Sequence, residues 1–401
     1  MAGLFDTEVL VVHCVDTEGP IGGDVRRNPD GSKEFMDNWE DISESLDEIT
    51  SYEFRNENRD SAGYRYKYNW FIMDFMGFKT NPKNRVQAYH DTYDHIKALN
   101  TAEDAFEWHY HHPNAEGVGD QWSDDWRTSQ EYLQILGRRL LERNDFPSVY
   151  RAGGTIEDNR CSHWLEENMM IDYSNRASDQ SFETDNIFDF NWYGAPDHWG
   201  YYHPSWKDFT KPGNMDRYIV RCVDLKSRLH ELSQEDVNLA FFEAKFFKRP
   251  VILSYFSHDH RDMREETRHA ISMIKKASAE YGVRFRWSSA VDALSRAASL
   301  YPMPGIQSAL IDLKKTENDS VLINFSDFVY QERPFVFTLD KDNNVEYHGN
   351  VWINWTGNGF HTDSSAQHVG SARLKTSKRH SRIGVAAHAW SGHARWKVMD
   401  L

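Results

Sequence analysis

Short apolar runs recur along the first 300 residues, with polar or amphipathic stretches between them. The run Glu8–Val15 is rich in β-branched residues, which is typical of a strand buried on both faces of a parallel sheet. By the same pattern, strands are predicted over Glu8–Val15, Trp70–Phe75, Ala105–Tyr110, Val149–Gly154, Met169–Tyr173, Pro250–Phe256 and Val283–Trp287.

Helical periodicity appears between these runs. It is clearest in Thr128–Arg143, where Tyr132, Leu133, Leu136 and Leu140 share one face. The pattern predicts helices over Asp41–Ile49, Asp91–Leu99, Thr128–Arg143, Ile156–Asn168 and Met263–Tyr281. Strands that alternate with helices indicate βα units, and a barrel of parallel strands is their natural closure.

The pattern changes after Pro302–Gly305. Short strands separated by turn residues are predicted over Val321–Phe325, Phe335–Leu339, Val345–Ile353 and Ile383–Trp390. We therefore expect an α/β chain with a distorted (β/α) barrel over residues 1–300. A small all-β accessory domain, similar to a β-sandwich, is expected over residues 301–401.

Composition and charge narrow the classes of function. The net charge of -16 argues against a nucleic-acid partner, because phosphate binding requires a basic surface. No apolar run approaches the length of a membrane span, and no signal-type segment precedes the first strand. Three scattered cysteines indicate a reducing compartment, so a cytoplasmic location is expected. The oligomeric state is left open.

Ionisable residues follow several of the predicted strands. Residues 107–113 have the sequence Glu-Trp-His-Tyr-His-His-Pro, and Asp16, Glu18, Arg151 and His258 stand after other strands. The carboxyl ends of barrel strands share one face, where active sites are built. Because a hydrolytic zinc site needs about three protein ligands, imidazoles and carboxylates at this face predict a metal site. Each residue also has a structural interpretation, as a turn cap, an ion-pair partner or a polar residue at a helix start.

The order of these motifs resembles the polysaccharide deacetylase family, known as the NodB-homology family or carbohydrate esterase family four. The matching segments are 16–20 (Asp-Thr-Glu-Gly-Pro), 108–113 (Trp-His-Tyr-His-His-Pro), 150–153 (Tyr-Arg-Ala-Gly) and 254–259 (Ser-Tyr-Phe-Ser-His-Asp). Segment 202–205 (Tyr-His-Pro-Ser) is similar to a loop of divergent members associated with bacterial surface-polysaccharide (O-antigen) loci. The resemblance covers residues 8–295 and implies a distorted barrel of the NodB type.

The resemblance implies a role for each matching residue. Glu18 and two of the histidines His109, His111 and His112 would bind a divalent ion, Zn2+ first, with Co2+, Ni2+ or Mn2+ as alternatives. Asp16 would be the catalytic base, Arg151 would align it, and His258 would protonate the departing amine. A backbone N–H near the first turn would help to stabilise the oxyanion.

Two departures from the family pattern leave alternatives open. Thr17 separates the two acids, which are adjacent in the usual pattern. The usual histidine pair is four residues apart, a spacing that His109, His111 and His112 do not provide. His109 and His111 share a side if the segment is extended, whereas His112 precedes a proline as the second histidine of the family does.

An aromatic segment over residues 191–202 offers a candidate surface for substrate. Its rings include Trp192, Trp199, Tyr202 and Tyr193 within a Gly- and Pro-containing loop. Exposed rings could bind a sugar, and a compact loop that packs on itself is the equal alternative. Asp172 lies near another strand end and is also predicted to contact substrate.

The expected function is metal-dependent hydrolysis of an N-acyl group, in the first place N-acetyl, from a sugar of a polysaccharide or surface glycan. The carbohydrate substrate could be nucleotide- or lipid-linked. One rival is a hydrolase of a non-sugar amide on the same fold, similar to allantoinase. A second rival is a catalytically inactive carbohydrate-binding protein.

Overall fold

The computed structural model describes residues 7–20, 35–73, 84–111, 130–177, 192–225, 231–300, 311–355 and 370–401. His112 lies outside these residues, and so does the prediction that it binds metal. Among the described helices, none is long and apolar enough to cross a membrane.

The described chain is a mixed α/β structure whose helices and strands divide between two compact units. The helices are α1 (Trp39–Thr50), α2 (Tyr52–Glu57), α3 (Arg85–Lys97), α4 (Glu131–Arg143), α5 (Asn159–Asn168), α6 (Gln234–Phe247), α7 (Met263–Tyr281) and α8 (Ala290–Ala297). The strands of the first unit are β1 (Glu8–Thr17), β2 (Tyr68–Ile72), β3 (Ala105–Tyr110), β4 (Tyr150–Ala152), β5 (Ile171–Asn175), β6 (Tyr201–Tyr202), β7 (Tyr218–Arg221), β8 (Val223–Asp224), β9 (Val251–His258) and β10 (Arg284–Trp287).

The first unit is built on a curled sheet of mainly parallel strands. Its order is β6-β7-β5-β4-β3-β2-β1-β9-β8, with β6 antiparallel to β7. The amino-terminal half of β1 pairs with β10 and its carboxyl-terminal half with β2, and β9 pairs along the whole strand. All ten residues of β1 are buried, as the apolar run predicts for a central strand. The prediction of parallel βα units is confirmed.

Strand register determines which side chains become neighbours at the carboxyl end of this sheet. Asp16 of β1 is paired with His258 of β9. His109 of β3 is paired with Arg151 of β4. Two separate strand pairs therefore bring four of the predicted site residues to the same end of the sheet.

The second unit contains two antiparallel sheets that share one apolar core. Its strands are β11 (Ile311–Thr316), β12 (Ser320–Phe325), β13 (Phe335–Asp340), β14 (Val345–Tyr347), β15 (Asn354–Trp355), β16 (Gly370–Lys375), β17 (His380–His388) and β18 (Ala394–Asp400). The sheet orders are β11-β12-β16-β15 and β14-β13-β17-β18. Phe325 of one sheet and Val385 of the other are both fully buried in the shared core.

The division of the described chain is not a single cut. Residues 130–148 and 163–170 cluster with the carboxyl-terminal strands. Helix α4 thus belongs to the second unit, where Gly137 allows the side chains of Phe337 and Val345 to approach its backbone closely. The predicted boundary at residue 300 stays a prediction about independently folding domains.

Candidate functional site

The first turn after β1 places two carboxylates in the buried end of the sheet. Asp16 and Glu18 are both almost inaccessible to solvent. Arg151 Nε donates to Asp16 Oδ1 at 2.7 Å, and Arg151 Nη1 donates to the carbonyl of Tyr173 at 2.6 Å. The guanidinium lies 3.7 Å above the ring centre of Phe256, which helps to fix its plane. The structure therefore joins the predicted base to the predicted arginine.

Burial and charge act in opposite directions on this ion pair. Burial raises the pKa of Asp16 above its ordinary value, and the Arg151 guanidinium opposes that rise. Burial by itself would lower the pKa of Arg151, but the neighbouring negative groups, with the Asp16 carboxylate foremost, together outweigh burial and raise that pKa. Arg151 thus favours the ionised form of Asp16 against the effect of burial.

Two of the three clustered histidines lie beside this pair. His109 Nδ1 is 3.7 Å from Asp16 Oδ1, and the rings of His109 and His111 meet edge to face with centres 5.0 Å apart. Arg85 donates to the carbonyl of His111 and so anchors the end of β3. A Cβ atom at Gly153 would lie 2.4 Å from Cγ of His111, so only glycine permits this approach.

The segment after β9 brackets the second carboxylate. His258 Nε2 lies 3.7 Å from Glu18 Oε1 and 4.0 Å from Asp16 Oδ2. His260 Nδ1 lies 3.5 Å from Glu18 Oε2. Burial is the main cause that lowers the pKa of both His258 and His260 well below the usual value. Both imidazoles are consequently neutral near pH 7.

Asp259 holds the backbone of the first turn. Its carboxylate accepts hydrogen bonds from the N–H of Glu18 at 2.7 Å and from the N–H of Gly19 at 3.0 and 3.1 Å. Gly19 has a φ of 70°, and two successive N–H groups in such a turn form an anion-binding concavity. These two N–H groups therefore donate to Asp259, which weakens the expectation that this turn stabilises an oxyanion.

Asp259 and His260 are the residues that sequence reasoning missed as site components. Both follow His258 directly, and Asp259 closes the matching segment 254–259, but no role at the site is predicted for either residue. The available signal was the unbroken string Ser257-His258-Asp259-His260 at a strand end. Burial raises the pKa of Asp259 to about 7, although its backbone hydrogen bonds lower it.

The donor set fits a divalent metal ion by its chemistry. Two carboxylates and four imidazoles are gathered here, and neutral imidazoles with carboxylates are the usual ligands of hydrolytic zinc. Among the described residues, no group of three or more His, Cys, Asp or Glu side chains is already arranged to hold an ion.

Asp172 is not brought into this cluster. Its carboxylate accepts from Arg217 Nη1 at 3.0 Å and from the hydroxyl and N–H of Ser174. Arg217 also donates to Glu157 and to Ser162, and the Arg217, Glu157 and Asp172 side chains are completely buried. The predicted contact between Asp172 and substrate stays a prediction, and the observed contacts of the carboxylate are structural.

Most of the predicted sugar-binding rings are packed inside the protein. Trp192 and Tyr202 belong to one buried apolar cluster, in which Trp192 Nε1 donates to Thr155 O and the Tyr202 hydroxyl donates to Phe209 O. Trp199 is also buried, and its Nε1 donates to Asp236 O. Tyr193 is 69% exposed. The compact-loop alternative therefore describes three of these four rings.

An open cavity of about 260 Å³ lies near the segment after β9. Phe35 on its wall meets the ring of His260 edge to face, with centres 4.8 Å apart. The lining residues are Phe35, Met36, Asp41, Glu44, Ser45 and Arg264.

Comparison with known proteins does not assign this chain to a family. No family model matches the sequence, and no curated protein matches it. Among solved structures, bovine butyrophilin is similar over 30% of this chain and about half (47%) of its own, at 10% identity and a TM-score of 0.15. A likeness this weak carries no argument about fold or function.

Proposed function

We propose that this chain is a metal-dependent hydrolase that removes an N-acyl group, in the first place N-acetyl, from a sugar, in the manner of the polysaccharide deacetylases. The observation that carries the proposal is the buried Asp16–Arg151 pair with His109 and His258 within 4.0 Å of the Asp16 carboxylate. Four strand ends supply these groups, and each has the residue type that the resemblance requires.

The barrel of the NodB type is part of the proposal, and the sheet topology supports it. Strand β7 lies next to one end of the sheet order, and β8 forms the other end. Only Cys222 separates these two strands in the sequence. The segment 218–224 therefore borders β5 at its start and β9 at its end. The N–H of Cys222 donates to Asn175 O at 2.7 Å across this join.

The metal-binding role falls to Glu18 and to two of His109, His111 and His112, with Zn2+ as the first choice of ion. His258 and His260 lie 3.7 and 3.5 Å from the two oxygens of the Glu18 carboxylate. A divalent ion bound there would supply Lewis acidity for a water molecule and for the acyl carbonyl oxygen.

The chain's own residues would then move the protons. Asp16 takes a proton from the water that adds to the acyl carbon, while Arg151 holds Oδ1 and leaves Oδ2 toward His258. His258 is neutral, so it must receive this proton before it can act as an acid. It then delivers the proton to the nitrogen as the amide C–N bond breaks, which avoids an amide anion as leaving group.

The class of substrate, a sugar or a non-sugar amide, also has to be tested. The buried positions of Trp192, Trp199 and Tyr202 remove part of the reason for preferring a sugar over a non-sugar amide. A cytoplasmic location is proposed as well, and a reducing compartment fits the described Cys14, Cys161 and Cys222, which form no disulfide.

The test is acetate release from N-acetylhexosamine oligomers, compared with hydrolysis of ureides, by protein loaded with Zn2+. Asp16→Asn should lower turnover by about 10²- to 10⁴-fold. Asp312→Asn on the exposed side of β11 is the matched control and should not change it. His109→Ala should lose bound metal and activity together.

Three results would separate the hypotheses. Full turnover by Asp16→Asn would remove Asp16 from the role of base. Hydrolysis of ureides alone would favour the non-sugar amide hydrolase. Glycan binding by wild-type protein that takes up no metal would favour the carbohydrate-binding protein.

A further inference from the structure

Helix α6 has two apolar faces. Val237, Ala240, Phe241 and Ala244 are buried against the sheet and α7. On the opposite side, Leu239 is 43% exposed, Phe242 47% and Phe246 67%. The exposed residues follow the i, i+3, i+7 spacing of a single helical stripe.

The exposed rings are ordered against one another. Phe242 and Phe246 stack with ring centres 5.6 Å apart and planes 20° apart. Phe247, which is 54% exposed, meets Phe246 edge to face at 5.1 Å. By their exposed fractions, the three phenylalanines present roughly 300 Å² of apolar surface. Contiguous patches of this size on a soluble protein are often functional.

Charge is distributed unequally along the same helix. Glu231 and Glu235 are exposed at its amino end, whereas Lys245, Lys248 and Arg249 are exposed at its carboxyl end. Phe242 lies midway between Glu235 and Arg249 in the sequence. The surface formed by α6 is therefore acidic at one end, apolar in the middle and basic at the other end.

We propose that the exposed stripe Leu239–Phe242–Phe246 is the contact surface of a homodimer, in which α6 packs antiparallel against α6 of a second copy. A two-fold axis near Phe242 brings the acidic end of each helix to the basic end of the other, which is the self-complementarity that an isologous interface requires. This inference does not depend on the proposed catalytic function.

Charge decides among the possible occupants. A nucleic acid or an anionic lipid surface would be attracted by the basic end but repelled by Glu231, Glu235 and the net charge of -16. A second copy offers both signs of charge at the required spacing, together with a matching apolar stripe. Antiparallel packing also aligns the two helix dipoles favourably.

The experiment is sedimentation velocity on the full chain from about 1 to about 100 µM, a range that covers weak homodimers. Wild-type protein should sediment as a dimer at the upper concentrations. Phe242→Glu places two like charges at the axis and should raise the dissociation constant at least about tenfold. Trp206→Glu is the matched control, since it changes an exposed ring outside α6 and should leave the dimer intact.

A charge reversal at two exposed residues tests the antiparallel orientation of the two α6 helices. Glu235→Arg alone should weaken the dimer, and adding Arg249→Glu should return the dissociation constant to within about threefold of wild type. Circular dichroism confirms that each variant is folded. A wild-type monomer at 100 µM, a dimer that survives Phe242→Glu, or a double variant that remains as weak as Glu235→Arg would each overturn the proposal.

Discussion

Arg217→Met should cause a large loss of stability, because it leaves two carboxyl groups buried without their cation. Arg217, Glu157 and Asp172 have no solvent-exposed side-chain surface. Burial is the main cause that raises the pKa of Glu157, and the neighbouring Asp172 adds to the rise while Arg217 opposes it. Removing one partner of such a buried network costs about 3–5 kcal/mol.

The assay is urea unfolding at pH 7, monitored by tryptophan fluorescence. In a thermal melt, the same loss of about 3–5 kcal/mol corresponds to a fall of roughly 10 °C in Tm for a unit of this size. Arg268→Met is the control in the same unit, because Arg268 pairs with Glu48 at the surface and both side chains are nearly half exposed. That variant should change stability by less than about 1 kcal/mol.

The same experiment tests the position of Asp172. Adding Glu157→Gln and Asp172→Asn to Arg217→Met should recover part of the loss, because neutral amides are less costly to bury than carboxylates. A loss below about 1 kcal/mol for Arg217→Met would refute the reasoning, since it would show that these carboxyl groups reach solvent. Asp172 would then become available to substrate.

Three further outcomes follow from single contacts. Asp259→Ala should lower the free energy of unfolding by about 1.5–3 kcal/mol and weaken metal uptake. Asp259→Asn should be intermediate, because one acceptor oxygen remains. Equal metal uptake by the two variants in a zinc titration would contradict this. Gly153→Ala should displace His111 and reduce metal uptake at a folding cost of about 1–3 kcal/mol, and normal uptake would contradict it. Burial lowers the pKa of His388 to about 4. The neutral imidazole therefore contributes fully to the free energy of unfolding above the unfolded pKa of about 6.5, and about 3 kcal/mol of that free energy is lost as the pH falls from about 6.5 to 4. His388→Gln should flatten that decline in unfolding free energy, exposed His269→Gln should not, and parallel curves for His388→Gln and wild type would contradict the assignment.

Sequence pattern located elements well where local residues mark both ends of the element. The bounds of β3 and α7 agree with the predicted Ala105–Tyr110 and Met263–Tyr281. Polar residues flank β3, whereas the Asp262 cap begins α7 and Gly282, with a φ of 64°, ends it. Helix α6 was not predicted at all. Its apolar residues lie on both the buried and the exposed face, so no single helical periodicity stands out.

The contacts of the segment after β9 could not be derived from local pattern. Asp259 and His260 acquire their roles from the approach of Glu18 and Gly19, about 240 residues away in the chain. Local sequence indicates the histidine motif and a polar helix start, but not these contacts of Asp259 and His260. Hydrogen bonds between segments so distant in the chain are set by sheet topology, which a single sequence does not fix.

Asp172 illustrates how a one-residue difference decides the surroundings of a strand residue. Successive strand residues face opposite sides of a sheet, so a residue near a strand end has two possible environments. Asp172 is in register with Tyr150, the neighbour of Arg151, and it shares the face opposite to the Asp16–Arg151 pair. The next residue, Tyr173, faces the other side of the sheet, and its hydroxyl donates to Ala290 O at 2.7 Å. A site residue must therefore lie near a strand end and must also face the side of the sheet that Asp16, His109 and Arg151 share.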